Sequence, residues 1–173
     1  MTRTIYYVAS SLDGFIAEDD GGLDWLLQFG FEPFQAHYDR FLEGVGALVM
    51  GSTTYEFVRG EGEWPYALPT WVLTSQERER PRGADVRFAS GAIEDLLPSL
   101  LESAGDRDLW IVGGGEVAAR FAEVGALDEM RLTVMPVFLG SGRPLLPFRR
   151  TSPLALVGTT TFAGGAVELV HRF

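Results

Sequence analysis

The chain has 173 residues, of which 46% are hydrophobic and 22% are charged, and this length and composition predict one globular domain with a sizeable core. The net charge of −10 argues against nucleic acid as a partner, because phosphate backbones require a basic surface. Cysteine and lysine are both absent, which excludes thiolate nucleophiles, cysteine-bound zinc and lysine Schiff bases. No apolar run is long enough to cross a bilayer and no signal peptide is evident, so we expect a cytoplasmic protein without a membrane partner.

The hydrophobic pattern predicts strands that alternate with helices, followed by a β-rich C-terminus. We expect strands at residues 4–10, 45–50, 70–75, 86–89, 109–112 and 129–139. Helices are expected at residues 33–42, 92–103 and 116–124, with another that opens at Ser52 and a short helical turn at 23–27. Residues 154–162 and 167–173 read as a terminal hairpin. This order predicts an α/β fold with a mostly parallel central sheet and antiparallel strands at its C-terminal edge.

One apolar strand ends in Gly113-Gly114-Gly115 and a helix begins at once. Such a turn leaves free backbone N–H groups at the positive end of the helix dipole, which favours a bound anion. The spacing Gly113-x-Gly115-x-x-Ala118 matches a dinucleotide fingerprint. However, the next strand does not end in the acidic residue that binds the ribose of NAD. The sequence therefore favours a pyrophosphate site rather than a standard NAD site.

Two other strands end in a similar way. Gly51 is followed by three hydroxyl residues, 52–54, and another strand runs into Thr74 and Ser75 with Arg78 close behind. Hydroxyls and an arginine at the carboxyl end of a parallel strand suit a 2′-phosphate, although a polar cap with a solvated charge run is the simpler alternative. Because three such ends occur in one small sheet, we expect them to form one ligand site.

The carboxylates that qualify as catalytic groups are Asp13 and Asp24. Taken alone, Asp13 is equally typical of a turn and Asp24 of a helix cap. His37 falls within a helical pattern and is interpreted as a partly buried helix residue. Trp25 is expected in the core or in a pocket wall.

Five short segments, spread in order along most of the chain, carry a family resemblance. They are SLDGFIA at 11–17, LVMGSTTY at 48–55, WVLTS at 71–75, IVGGGE at 111–116 and PVFLGSGRPL at 136–145. They are similar to the motifs SLDGxxA, MGRxTxE, LS/TS, IGGG and PxxLGxGxxL of the dihydrofolate reductase superfamily. The resemblance is to its branch that contains the reductase domain of the riboflavin-biosynthesis deaminase–reductase. It implies a three-layer sandwich formed by one domain, residues 1–173.

The resemblance also implies NADPH as the cofactor, a homodimer and no metal. The expected cofactor-binding residues are Ala9, Ile16, Ala17, Gly51, Ser52, Thr53, Thr54, Leu73, Thr74, Ser75, Arg78, Val112, Gly113, Gly114, Gly115, Glu116 and Val117. The expected substrate-pocket residues are Trp25, Gln35, Tyr38 and Arg143.

The function implied is an NADPH-dependent reductase that transfers a hydride to a small heterocyclic or carbonyl substrate. The model for it is 5-amino-6-(5-phosphoribosylamino)uracil reductase. Two departures leave the substrate open. Gln35, aligned from Pro33, stands where dihydrofolate reductases carry an acidic residue, and Gly113 stands where the riboflavin-pathway reductases usually have Glu. The alternatives are a true dihydrofolate reductase, with Asp24 as the acidic group, and a nucleotide-binding dimer without catalysis.

Overall fold

An eight-stranded sheet forms the centre of this computed structural model, which describes all residues from Met1 to Phe173. The strands are β1 (Thr4–Ser10), β2 (Phe15–Ala17), β3 (Val45–Gly51), β4 (Thr70–Leu73), β5 (Val86–Ala89), β6 (Asp108–Gly113), β7 (Glu129–Val134), β8 (Arg143–Pro144), β9 (Ala155–Thr161) and β10 (Val167–Arg172). The helices are α1 (Asp24–Leu27), α2 (Gln35–Leu42), α3 (Ser52–Gly60), α4 (Ile93–Ala104) and α5 (Gly115–Glu123). None of these helices combines the length and the apolar character needed to span a bilayer.

The order of strands in the large sheet is β5-β4-β3-β6-β1-β7-β10-β9. The first six run parallel to one another, while β10 pairs antiparallel with both β7 and β9. The prediction of a mostly parallel sheet with an antiparallel C-terminal edge is therefore confirmed. The remaining strands, β2 and β8, form a separate antiparallel pair.

Helices cover both faces of the large sheet, which gives the three layers that the family resemblance implies. Helices α4 and α5 pack on one face and contribute Leu100 and Phe121 to a buried cluster with Tyr6 of β1. Helices α2 and α3 lie on the other face, where Phe41 and Tyr55 contact a second cluster. Successive side chains of β1 belong to different clusters: Tyr6 to the first and Ile5 to the second. This is expected for a central strand that is buried on both faces.

Most predicted elements lie within two residues of the observed ones, and the differences have local causes. The strand predicted over 129–139 ends at Val134 because Pro136 has no N–H to continue a ladder. The helix predicted over 33–42 begins instead with a 3-10 turn, Glu32–Phe34, so that α2 proper starts at Gln35. The small β2–β8 sheet was not predicted, because strands of three and two residues are too short to show periodicity.

Candidate functional site

Three glycine- or hydroxyl-bearing strand ends lie side by side at one edge of the large sheet. Gly51 of β3 is in register with Leu73 of β4, and Met50 of β3 with Gly113 of β6. The residues that follow each strand, starting at Ser52, Thr74 and Gly114, therefore emerge next to one another. Open α/β sheets bind ligands at this edge, outside the carboxyl ends of the strands.

Two helices begin at this edge, and both present free backbone N–H groups. Helix α3 starts at Ser52 after an extended Gly51, and helix α5 starts at Gly115 after an extended Gly114. Neither helix has a side chain that caps its N-terminus. Because each is nine residues long, the first-turn amides lie at the positive end of a substantial dipole. Two such ends on adjacent strands can bind the two phosphates of a diphosphate.

The glycine turn is packed tightly on two sides and open in the middle. A Cβ at Gly115 would lie 2.5 Å from the carbonyl oxygen of Pro144, and a Cβ at Gly113 would lie 3.1 Å from Oγ1 of Thr54. A Cβ at Gly114 would meet only Cδ1 of Ile16, at 3.9 Å. The peptide bond between Gly113 and Gly114 is cis. Because Gly114 is only partly buried and a Cβ there would meet a single atom, its backbone is accessible to a ligand and the turn fits the diphosphate of a nucleotide cofactor.

The hydroxyl strand end next to α3 has free polar groups, but its arginine is already paired. Thr74 is partly buried and Ser75 is exposed, and Oγ1 of Thr74 accepts only the N–H of Gln76, at 3.1 Å. Arg78 turns towards α3, where its Nη1 donates to Oε1 of Glu56 at 2.9 Å. The buried Nε of Arg78 has no hydrogen-bond partner. Because the side chain of Arg78 is 32% exposed, its charge could still act on an anion bound at Thr74 and Ser75.

The residues expected beside a nicotinamide surround the carboxyl end of β1. Ala9 is partly buried and Ala17 is buried, and β2 with Ile16 packs beside β1. Val112 lies one residue before the glycines, on the face occupied by the second cluster. The surface at this end of β1 is apolar, which suits the planar ring of a nicotinamide.

The four residues expected to bound the substrate differ in their position and in their exposure to solvent. Trp25 is buried against Met135 and contacts Ala9, and its indole N–H has no partner. Tyr38 is half-buried edge-on to Trp110 with 5.8 Å between ring centroids, and burial raises the pKa of Tyr38 to about 12.

Gln35 is exposed and donates to Asp39 of its own helix at 2.6 Å, so the structure does not bring it to this pocket. The reason is the orientation of α2. Two residues correspond to about 200° of rotation around a helix, and His37, two positions after Gln35, faces the sheet, so Gln35 faces away from it. Arg143 is exposed on β8, with its guanidinium group against Gly21.

Asp13 and Asp24 do not stand as free acids over β1. Asp13 accepts hydrogen bonds from the Ser11 hydroxyl at 2.6 Å and from the backbone N–H of Leu139 and of Gly140. The Ser11 bond, followed by those from the two amides, lowers the pKa of Asp13. Its carboxylate is therefore ionised at neutral pH and ties two loops together. Asp24 is exposed in the first turn of α1, and the cap position is taken by Leu23.

A contact between a partly exposed histidine and a buried glutamate, which sequence reasoning missed, lies on the same face of the sheet as Ala9. His37 of α2 and Glu168 of β10 are joined by a 2.9 Å contact between Nε2 and Oε2. The side chain of Glu168 is only 2% exposed and that of His37 is 21% exposed. Nearby, burial and then the negative charge of Glu168 raise the pKa of Tyr7. The alternating pattern of 167–172 did carry a signal, because it puts Glu168 on the same strand face as the buried Val170.

Comparison with known proteins gives consistent results. The family model described as the RibD C-terminal domain matches residues 3–167. YwjB, an uncharacterized protein of Bacillus subtilis, is 35% identical over 169 residues, which cover 96% of this chain and 95% of YwjB. A crystal structure from Shewanella sp. PV-4, named for riboflavin biosynthesis, superposes with a TM-score of 0.83 and 28% identity over 99% of both chains. Dihydrofolate reductase from Enterococcus faecalis, described as complexed with NADP(H), shares the fold, with a TM-score of 0.68 and 21% identity over 98% of this chain and 96% of its own.

Proposed function

Because the chain belongs to the RibD C-terminal domain family, we propose that it is an NADPH-dependent reductase that transfers a hydride to a small heterocyclic or carbonyl substrate. The observation that carries the proposal is the pair of uncapped helix N-termini at Gly51 and at Gly113–Gly115, side by side at the carboxyl edge of the sheet.

Different residues of the chain would bind different parts of the cofactor. The first-turn amides of α3 and α5 would bind the diphosphate, and Thr74, Ser75 and the positive charge of Arg78 would bind the 2′-phosphate. The apolar side chains at the end of β1, with Ala9 and Ile16 among them, would hold the nicotinamide. The bound cofactor supplies the hydride, so the protein needs no nucleophile of its own. This division suits a chain with neither cysteine nor lysine.

The aromatic side chains on the Ala9 side of the sheet favour a flat substrate. On the side of the sheet where Ala9 lies, Tyr38 is half-buried and presents part of its ring, and Trp25 is buried beneath the surface. Aromatic side chains bind planar rings by stacking or by edge contacts. A pyrimidine, a pteridine or a conjugated carbonyl compound fits this description.

The proposal is tested first by cofactor binding. Tryptophan fluorescence is titrated with NADPH in the wild type, in Gly114→Val and in the control Gly60→Val. A valine at position 114 fills the open centre of the turn, and we expect the dissociation constant to rise about tenfold or more, which corresponds to about 1.4 kcal/mol. Gly60 lies at the far end of α3 with no atom within 4 Å of a Cβ, so its variant should bind as the wild type does.

Turnover is tested by loss of NADPH absorbance with three substrates: 5-amino-6-(5-phosphoribosylamino)uracil, dihydrofolate and a conjugated ketone. Oxidation that depends on one of them supports a reductase and identifies its substrate class. Binding of NADPH without turnover of any compound favours a non-catalytic nucleotide-binding protein. If the wild type binds neither NADPH nor NADH, the proposal is refuted.

We also propose that two copies associate through β9. This edge strand has an unpaired side and exposes 56% of Leu156 and 45% of Val157. Exposed apolar edges are prone to pair with another chain. Light scattering should give twice the mass of one chain for the wild type and the mass of one chain for Val157→Glu. A monomeric wild type would contradict the dimer.

A further inference from the structure

We infer that His37 gives the substrate its proton during reduction and that Glu168 positions the His37 ring for this step. The inference rests on the proposed function. It concerns a pair for which the fold has no evident structural need, because burying a carboxylate is costly even when it is paired.

The first argument is the place of Glu168 in the sheet. Ala9 of β1 is in register with Thr133 of β7, and Thr133 with Glu168 of β10. Residues directly opposite one another on neighbouring strands point to the same face. Adjacent strands lie about 4.8 Å apart, which puts the Cα atoms of Ala9 and Glu168 about 10 Å from each other. A substrate seated over Ala9 is therefore within reach of a side chain held by Glu168.

The second argument is the orientation of the imidazole. Nε2 of His37 is bound to Glu168, and the ring lies edge-on to Phe162 with 5.3 Å between centroids. Nδ1 has no partner in the protein and is not sealed from solvent. When His37 is protonated, the carboxylate stabilises its charge at Nε2 and leaves the Nδ1 proton available. Because the ring is partly exposed, water can reprotonate it after each turnover.

The other charged and titratable groups near the pair do not compete for this role. Arg131 on β7 is held by Glu129 at 2.9 Å. The phenol of Tyr7 on β1 remains protonated at neutral pH, because burial and Glu168 raise its pKa. His171 alternates to the opposite face of β10 from Glu168. His37 is therefore the one imidazole on the substrate side of the sheet.

The proposed step balances as follows. The substrate carbon of a C=N or C=O bond accepts a hydride from the reduced nicotinamide. The π electrons of that bond move to the nitrogen or oxygen, which takes the proton from Nδ1 of His37. The products are the reduced substrate, the oxidised nicotinamide and neutral His37.

The chain has only two histidines, so nitrogen-15 histidine labelling gives a spectrum with two assignable rings. We expect NADP⁺ to shift the ring signals of His37 and to leave those of His171 unchanged, with His171→Gln used for assignment. Glu168→Gln should change the ring signals of His37, because it alters the contact at Nε2, and should leave those of His171 unchanged. If NADP⁺ binds, as judged by fluorescence, and the His37 signals do not move, the inference is refuted while the proposed function stands. If NADP⁺ does not bind, the proposed function fails instead.

Kinetics with the fastest substrate of the three-compound set provide the second readout. His37→Gln should lower kcat by about 10²–10⁴-fold, the usual effect of removing a general acid, with NADPH affinity within about twofold of the wild type. If His37 is the proton donor, the pH dependence of kcat should differ between the wild type and His37→Gln. Should His37→Gln unfold because Glu168 is left unpaired, the double variant His37→Gln/Glu168→Gln restores an amide pair without a buried charge. An unchanged pH profile in a folded variant would refute the proton-donor role, and His171→Gln should behave as the wild type.

Discussion

Gly115→Ala tests the packing that holds the N-terminus of α5 in place. The added Cβ would lie 2.5 Å from the carbonyl oxygen of Pro144 and 2.6 Å from that of Leu145. An ordinary carbon–oxygen contact is about 3.3 Å, so the helix must retreat by about 0.8 Å. Both obstacles are backbone atoms, which cannot rotate away as a side chain could. Overpacking of this kind costs about 1–3 kcal/mol, which corresponds to a Tm lower by about 2–12 °C for a chain of this size.

The same retreat should weaken cofactor binding, because it displaces the first-turn amides of α5 that we propose as phosphate donors. A displacement close to 1 Å can reduce the effect of a positioned group by up to about a hundredfold. We expect the NADPH dissociation constant of Gly115→Ala to rise at least about tenfold. Thermal unfolding and fluorescence titration measure the two effects on one preparation.

The matched control is Gly60→Ala, the same substitution in another nine-residue helix. A Cβ at Gly60 meets nothing within 4 Å, and replacing glycine with alanine in a compatible conformation stabilises a protein by about 0.4–1 kcal/mol. A Tm of Gly115→Ala equal to that of this control would refute the reasoning. A lower Tm with unchanged NADPH affinity would keep the packing argument and remove the phosphate role of α5.

Two other predictions follow from ionised side chains. Asp13→Asn should loosen the contact with the Leu139–Gly140 loop and lower the Tm at neutral pH. Because the folded-state pKa of Asp13 is lowered, its contribution exists above the unfolded value of about 3.9 and is lost as the pH falls through the folded value, so the two proteins should converge in acid. Glu129→Ala removes buried bonds of 2.9 Å to both Arg3 and Arg131, and urea denaturation should show a loss of about 3 kcal/mol. A loss under about 0.5 kcal/mol would mean that solvent already screens this network.

The position of the glycine- and hydroxyl-bearing strand ends at one edge of the sheet could be predicted from sequence because each of its parts is local. A strand that ends in glycine or a hydroxyl residue and turns into a helix is visible within ten residues, at Gly51 and at Gly113–Gly115. Parallel pairing then places these ends together, since all parallel strands present their carboxyl ends at one edge. In the structure, Met50 of β3 is in register with Gly113 of β6, so these two strand ends lie next to each other as expected.

The side-chain contacts on the Ala9 side of the sheet and at Asp13 could not be predicted in the same way because they join distant segments. His37 and Glu168 are separated by 131 positions, and Asp13 contacts Gly140 across 127. No local periodicity reports such pairs. Gln35 shows a second cause: the 3-10 turn before α2 shifts the phase of the helix, so an alignment from Pro33 selects a residue on the solvent side.

The net charge of −10 makes the source of cofactor affinity testable by salt. Free helix N-termini bind phosphate without mobile cations, whereas the long-range field of an acidic protein repels an anionic ligand. Added salt screens this repulsion over about 10 Å at 0.1 M, so the affinity for NADH should not fall as salt rises. NADPH carries an additional 2′-phosphate, for which we propose Arg78 as a contact, and its affinity should fall with salt. Arg78→Ala should therefore weaken NADPH binding, spare NADH and abolish the difference in salt dependence. An equal loss for both cofactors would show that Arg78 supports α3 through Glu56 and does not read the 2′-phosphate.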